Sequence, residues 1–167
     1  FINKVPEIVK EYGNEFTVAT VGTIKVTPHS VNVIPGTCTF SLEIRDQSAE
    51  VMKLIENHLR QLLEDICKKY GVTSTFVPTS YHDPAPMSEL VRGTIEEAVK
   101  ELGIDYTVIP SGAFHDSLIM TSVFPTGMIF VPSKDGISHS RYEYTAPEDI
   151  ENGCNVLLNT VIKLDEK

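Results

Sequence analysis

No apolar run in this chain approaches the roughly 20 residues needed to span a bilayer, and its opening residues lack the basic-then-apolar order of a secretory signal. A soluble protein is therefore expected, and a membrane is not expected as a partner. Tryptophan is absent and cysteine is scarce. The three cysteines, Cys38, Cys67 and Cys154, show no C-x-x-C spacing, which argues against a disulfide scaffold and against a thiolate metal site. Each falls on an apolar stripe of its expected element, so reduced core thiols and a cytoplasmic setting are expected. Positive charge is also in short supply: Lys and Arg number 14 against 23 Asp and Glu, for a net charge of −9. With no local basic patch to offset that field, nucleic acid is not expected as a partner. Internal repeats and low-complexity tracts are lacking as well.

What is present suffices for a folded protein. A chain of 167 residues that is 41% hydrophobic can build one ordinary domain or two small ones. Ile2, Val5, Ile8, Val9 and Tyr12 repeat at helical spacing up to Gly13. Between residues 16 and 27, Phe16, Val18, Ile24 and Val26 alternate with Thr17, Thr23 and Lys25, the period of a half-buried strand. A second strand puts Cys38, Phe40, Leu42 and Ile44 on one face, so Thr39, Ser41, Glu43 and Arg45 point the other way. Residues 28–36 are rich in turn formers and read as the hairpin loop between them. Ser48 is a good N-cap for a helix whose Val51, Ile55, Leu59, Leu62 and Ile66 form one stripe, ended by Gly71. The β-branched and aromatic stretch 72–81 predicts a strand.

Two prolines in residues 82–87 separate this pattern from a different one, so a domain boundary is expected there. Beyond it Ser88 caps a helix carrying Leu90, Val91, Ile95, Ala98, Val99 and Leu102, stopped by Gly103. Strands are expected at 106–109 and 126–131, a further helix near His115, and a last helix opened by a Thr145–Glu148 capping box and running to Leu164. Alternation of helix and strand implies the edge of an α/β layered sheet.

Polar residues gather in two loops, 110–116 and 132–140, each placed after an expected apolar strand, where open α/β sheets bind ligands. His139 follows Gly136 in a segment without apolar period. A loop histidine bonded to backbone and a ligand-binding histidine are both open readings. Asp116, beside His115 at a helix start, suits the positive end of the dipole and reads as structural. Ser, His and Asp are all present, yet no G-x-S-x-G elbow accompanies them, so a hydrolase triad has little support. Arg45 ends a strand on its polar face. Such an arginine is ordinarily a solvated charge; with Asn32 in the loop leading to the same strand, it is alternatively a carboxylate clamp.

Several strings share a source: V-G-T-I and V-N-V-I-P-G-T within 21–37, L-E-I-R-D at 42–46, P-S-G-A-F-H-D at 110–116 and F-V-P-S-K-D-G-I-S-H-S at 130–140. In order and spacing they resemble the amidase, hydantoinase/carbamoylase family, which includes N-carbamoyl-L-amino-acid hydrolases and allantoate amidohydrolases and belongs to the aminoacylase and dinuclear zinc carboxypeptidase clan. The resemblance covers essentially the whole chain. It implies an α/β protein in two parts: residues 1–85 as an incomplete ferredoxin-like lid and dimerisation domain lacking its first strand, and 86–167 as the C-terminal segment of an α/β metallopeptidase-like catalytic domain. It further implies metal-dependent hydrolysis of a linear amide C–N bond in an N-carbamoyl-amino acid or related ureido acid, with two divalent cations, zinc or manganese.

Carried over by position, His139 resembles a metal ligand, Arg45 the arginine that holds the substrate carboxylate, and Asn32 its hydrogen-bonding partner. Phe114 stands where the family usually has glycine, and Arg141 where proline is common. The family's H-x-D motif and glutamate pair have no counterpart here, so this chain alone is expected to be inactive, with no tightly bound metal. Homodimerisation or higher self-association is expected. The alternative class is a non-catalytic ferredoxin-like dimerisation or binding module.

Overall fold

The structure, a computed structural model, describes residues 1–166. The chain divides into two compact units, Phe1–Pro84 and a second from Ala85 onward. The first unit runs from α1 (Val5–Tyr12) through four short strands, β1 (Val18–Thr20), β2 (Ile24–Thr27), β3 (Thr37–Phe40) and β4 (Glu43–Arg45), to α2 (Ala49–Tyr70). Its core is Val5 of α1 set against Ile55 and Leu59 of α2, with Ile8, Ala19, Val21, Leu42 and Ile44 packed around them. Ile55 and Leu59 are four residues apart and therefore share one helix face.

Both ends of α2 follow from local chemistry. Gly71 takes the left-handed conformation, φ 66°, that stops a helix without a Cβ penalty. At the other end the Ser48 hydroxyl accepts from the Val51 amide at 3.3 Å and donates to the Glu50 carboxylate at 2.7 Å. The bond from Ser48, followed by a backbone bond, holds the Glu50 carboxyl below its ordinary range. A lowered carboxylate pKa adds stability that is present above the unfolded-state value and is lost as pH falls through the folded one. Ser48→Ala is expected to lower stability by about 1 kcal/mol through the lost cap. The Glu50 pKa should rise toward the usual carboxylate range, with the backbone bond left to hold part of the shift, which an NMR titration beside a thermal melt would measure.

The expected first strand is two strands. β1 pairs with β4 and β2 with β3, both antiparallel. Between the Thr20↔Glu43 and Ile24↔Phe40 pairs lie three residues on one side, 21–23, and two on the other, 41–42. This bulge reverses the inside and outside of the leading strand, because side chains alternate with period two. Before it Thr17 is buried and Ala19 and Val21 face the core, whereas Phe16 and Val18 lie outward. The simple alternation across 16–27 placed Phe16 and Val18 inside, and the bulge is why they are not.

The second unit packs α3 (Glu89–Leu102) against α5 (Pro147–Asp165), with the short α4 (Asp116–Met120) between them in sequence. Thr94, Ala98 and Val99 of α3 and Val156 and Thr160 of α5 are buried. Both threonine hydroxyls return their bonds to their own helix, Thr94 to the Leu90 carbonyl and Thr160 to the Val156 carbonyl, so small polar residues can sit in the contact unpenalised. Lys163 joins the two helices through Glu101 at 2.6 Å. Segment 126–131 lies close: a Cβ on Gly127 would meet Val91 at 2.7 Å, and one on Gly153 would meet Val131 at 2.5 Å.

Three expectations need correction. Segments 72–81, 106–109 and 126–131 are not strands, and among the described residues the second unit has no sheet edge. Strand composition does not supply a neighbour, and a ladder needs one. Segment 72–81 is tied by a side chain instead, the Arg60 guanidinium lying 3.6 Å from the Phe76 ring centre. The capping box also fails to form: α5 begins at Pro147 behind Ala146, without a side-chain cap. Proline suits the first helical position and moves the start past Thr145. Asp116 does stand in the first turn of α4, at the positive end of the dipole, behind a His115 cap that makes no side-chain bond to the helix. Finally, the three cysteines are free, but Cys38 and Cys154 are exposed and Cys67 is half-buried, since no described layer covers their faces. The architecture is a mixture of helix and strand, and no described helix is long and apolar enough to cross a membrane.

Candidate functional site

Arg45 is the last residue of β4 and sits opposite Val18 in the ladder. Its neighbours Ile44 and Leu42 pack inward, so alternation turns Arg45 out. About half of its side chain is exposed, and Nη2 donates to the Glu43 carboxylate at 2.8 Å. Glu43 is two residues earlier and therefore on the same face. An exposed pair of this kind adds little stability. Its interest is chemical: a guanidinium nitrogen already holds a carboxylate oxygen.

The backbone carrying Arg45 is fixed by its successor. The Asp46 carboxylate accepts from the Thr17 hydroxyl, from the Ser48 amide at 2.8 Å and from Asn14 Nδ2 at 3.3 Å. Thr17 is buried, and its oxygen in turn accepts from the Asn14 amide at 2.8 Å. One carboxylate thus joins the turn after α1, the approach to β1 and the first turn of α2. Asp46 was not singled out from the sequence; the available signal was an aspartate two residues before an N-cap serine, a spacing at which its side chain reaches the cap's amide.

Asn32 lies in the loop 28–36, where its side-chain oxygen accepts from the Ser30 hydroxyl at 2.7 Å. That loop closes one end of the hairpin, at Thr27↔Thr37, and Arg45 stands at the other end. The distance along the ribbon is roughly 25 Å at about 3.3 Å per residue. The structure therefore does not bring Asn32 and Arg45 together.

In the second unit, loop 132–140 is tightly self-bonded. Ser133 Oγ donates to the Ile137 carbonyl at 2.5 Å, and the Gly136 amide to the Ser133 carbonyl at 3.0 Å. Asp135 and His139 both adopt positive φ, 56° and 54°. Two non-glycine residues in the left-handed region within five positions mark a segment that its surroundings hold in a strained form, a feature enriched at functional sites. The His139 amide donates to Glu143 at 2.8 Å, and the residue is exposed. In the neighbouring loop, His115 Nε2 lies 3.0 Å from Ser111 Oγ, and its ring meets Phe130 edge-on at 5.6 Å.

A protein zinc centre takes at least three protein ligands. Among the described residues, no three His, Cys, Asp or Glu side chains converge in that way. The described residues do not by themselves fit a metal centre.

Comparison with known proteins agrees with these strings of residues. Residues 7–163 match the model of Peptidase family M20/M25/M40. The N-carbamoyl-L-amino acid amidohydrolase of Geobacillus stearothermophilus is 40% identical over 148 residues, 89% of this chain and 36% of that protein. The allantoate amidohydrolase of Bacillus subtilis is 34% identical over 145 residues, 87% of this chain and 35% of that protein. The crystal structure of an amidase of the hydantoinase/carbamoylase family from Burkholderia multivorans superposes with a TM-score of 0.83 at 34% identity, covering 95% of this chain and 38% of that one. This chain spans little more than a third of the length of each. From Glu7 to Lys163 it belongs to Peptidase family M20/M25/M40, beside the hydantoinase/carbamoylase amidases.

Proposed function

We propose that this chain carries the carboxylate-binding part of a metal-dependent amidohydrolase that cleaves a linear amide C–N bond in an N-carbamoyl-amino acid or related ureido acid. The observation that carries the reading is Arg45, outward at the end of β4 with its Nη2 on a carboxylate oxygen. Substrate carboxylate would replace Glu43 there, and the guanidinium would orient the molecule by two parallel bonds. Asn32 is proposed as a separate amide contact at the other end of the hairpin, not as part of the same fork. Residues 1–85 act as a lid and dimerisation domain in this reading, and 86–167 as the returning segment of a catalytic domain. His139 is proposed as one ligand of a two-cation site whose other ligands lie outside these residues. Zinc and manganese both suit mixed imidazole and carboxylate donors. The test is turnover of N-carbamoyl-L-amino acids by the full-length protein, compared with carboxamide analogues of the same substrates. Equal rates on both would remove the clamp.

For these 167 residues alone, one specific observation favours the second reading, a binding or dimerisation module: no described trio of ligands is present. The isolated chain is expected to bind zinc or manganese no better than about micromolar, since a lone ligand closes no site, and to show no hydrolysis. The outer edges of both two-stranded pairs are unpaired by described strands, and unpaired edges recruit partners. Calorimetric titration with each metal and sedimentation across micromolar concentrations check both points; tight binding or a strictly monomeric chain would count against them.

A further inference from the structure

We infer that Asp46 is the positioning residue for Arg45, an inference that rests on reading Arg45 as the clamp for the substrate carboxylate. Arginine has four side-chain torsions, so where its fork can reach depends first on where its backbone is held. Here the backbone is held on two sides. The ladder pairs Arg45 with Val18. On the other side Asp46 is bonded to Thr17, Asn14 and the Ser48 amide, groups that precede β1 and open α2.

The geometry separates two jobs for neighbouring carboxylates. Glu43 lies on the outer face with Arg45 and touches the guanidinium at 2.8 Å, where an incoming carboxylate must displace it. Asp46 touches only neutral donors among these contacts and faces the turn, so it acts on Arg45 through the main chain. Removing it frees the strand end. A displacement near 1 Å at a binding group is enough to cost about a hundredfold in the worst case, and a mobile strand end costs less because the fork can still find its partner part of the time.

The experiment uses the full-length protein with an N-carbamoyl-L-amino acid and its carboxamide analogue, comparing wild type, Asp46→Ala, Asp46→Asn, Arg45→Ala and the double variant. Asp46→Ala should raise KM for the carboxylate substrate about tenfold and leave kcat within about threefold, while kcat/KM for the carboxamide stays within about twofold. Asp46→Asn keeps an acceptor for Asn14 and Ser48 and should recover most of the loss. The double variant should be no worse than Arg45→Ala, because the anchor has nothing left to position. Equal losses on both substrates from Asp46→Ala and Asp46→Asn, or additive losses in the double variant, would overturn the inference and leave Asp46 a structural residue. If Arg45→Ala loses no preference for the carboxylate, or wild type turns over neither compound, the clamp reading itself fails. That outcome is distinct from failure of the anchor alone.

Discussion

Arg45→Lys in the full-length protein is expected to lower kcat/KM on a carboxylate-bearing ureido substrate by roughly 30- to 1000-fold. A charge-assisted, bidentate arginine to carboxylate contact that is partly shielded from water is worth on the order of 2 to 4 kcal/mol. Lysine keeps the charge and loses the fork. Stability and metal content should hardly change, since the Arg45 side chain is about half exposed and its pair with Glu43 is a surface one. His139→Ala makes the contrast: it should lose bound metal together with activity, by the proposal that His139 is a ligand. Steady-state kinetics and metal analysis on the two purified variants separate the roles. Normal kinetics in Arg45→Lys would return Arg45 to a solvated strand charge.

Leu59→Ala is expected to cost about 2 to 5 kcal/mol, the range for emptying a leucine site in a packed core. Leu59 and Ile55 are completely buried, and Val5 of α1 closes the same cluster. That cluster is small, so the hole cannot be shared among many neighbours. The second unit has its own buried contact between α3 and α5. A loss confined to the first unit should therefore appear as a separate, earlier step in a thermal or urea melt. A single unshifted transition would mean that the region around Leu59 collapses to fill the space.

The helices were the most legible part of the fold, for a local reason. Ser48 and Gly71, then Ser88 and Gly103, are start and stop signals whose physics is complete within a few residues, and α2 and α3 begin and end at them. Strands were less so. Stretches 72–81, 106–109 and 126–131 have the composition of strands, but a ladder is a relation to another segment and composition cannot say whether one is there. The bulge was hidden because Phe16 and Val18 alternate with threonine as cleanly outside the core as they would inside it. For the candidate site, the outward direction of Arg45 could be read from Leu42 and Ile44. The distance from Asn32 to Arg45 could not, since thirteen residues of sequence say nothing of which end of a hairpin each occupies. Nor did anything in the pattern of loop 132–140 reveal that His139 takes a positive φ.

The extra residue at 21–23 acts like a frame shift written into the hairpin. Upstream of it odd-numbered positions share the face of Leu42 and Ile44, and downstream even-numbered ones do: Ala19 opposite Ile44 gives way to Ile24 opposite Phe40, where the ribbon has left the core and Ile24 is exposed. Length change in the loop 28–36 leaves both frames intact, because it only alters how far apart the strands are joined. Loss of one residue at 21–23 would instead force a choice between keeping the β1–β4 pairs, with Arg45 opposite Val18, and keeping the β2–β3 pairs. The strand pairing thus tolerates length change at one place and not at the other, and Arg45 stands on the side where length is information.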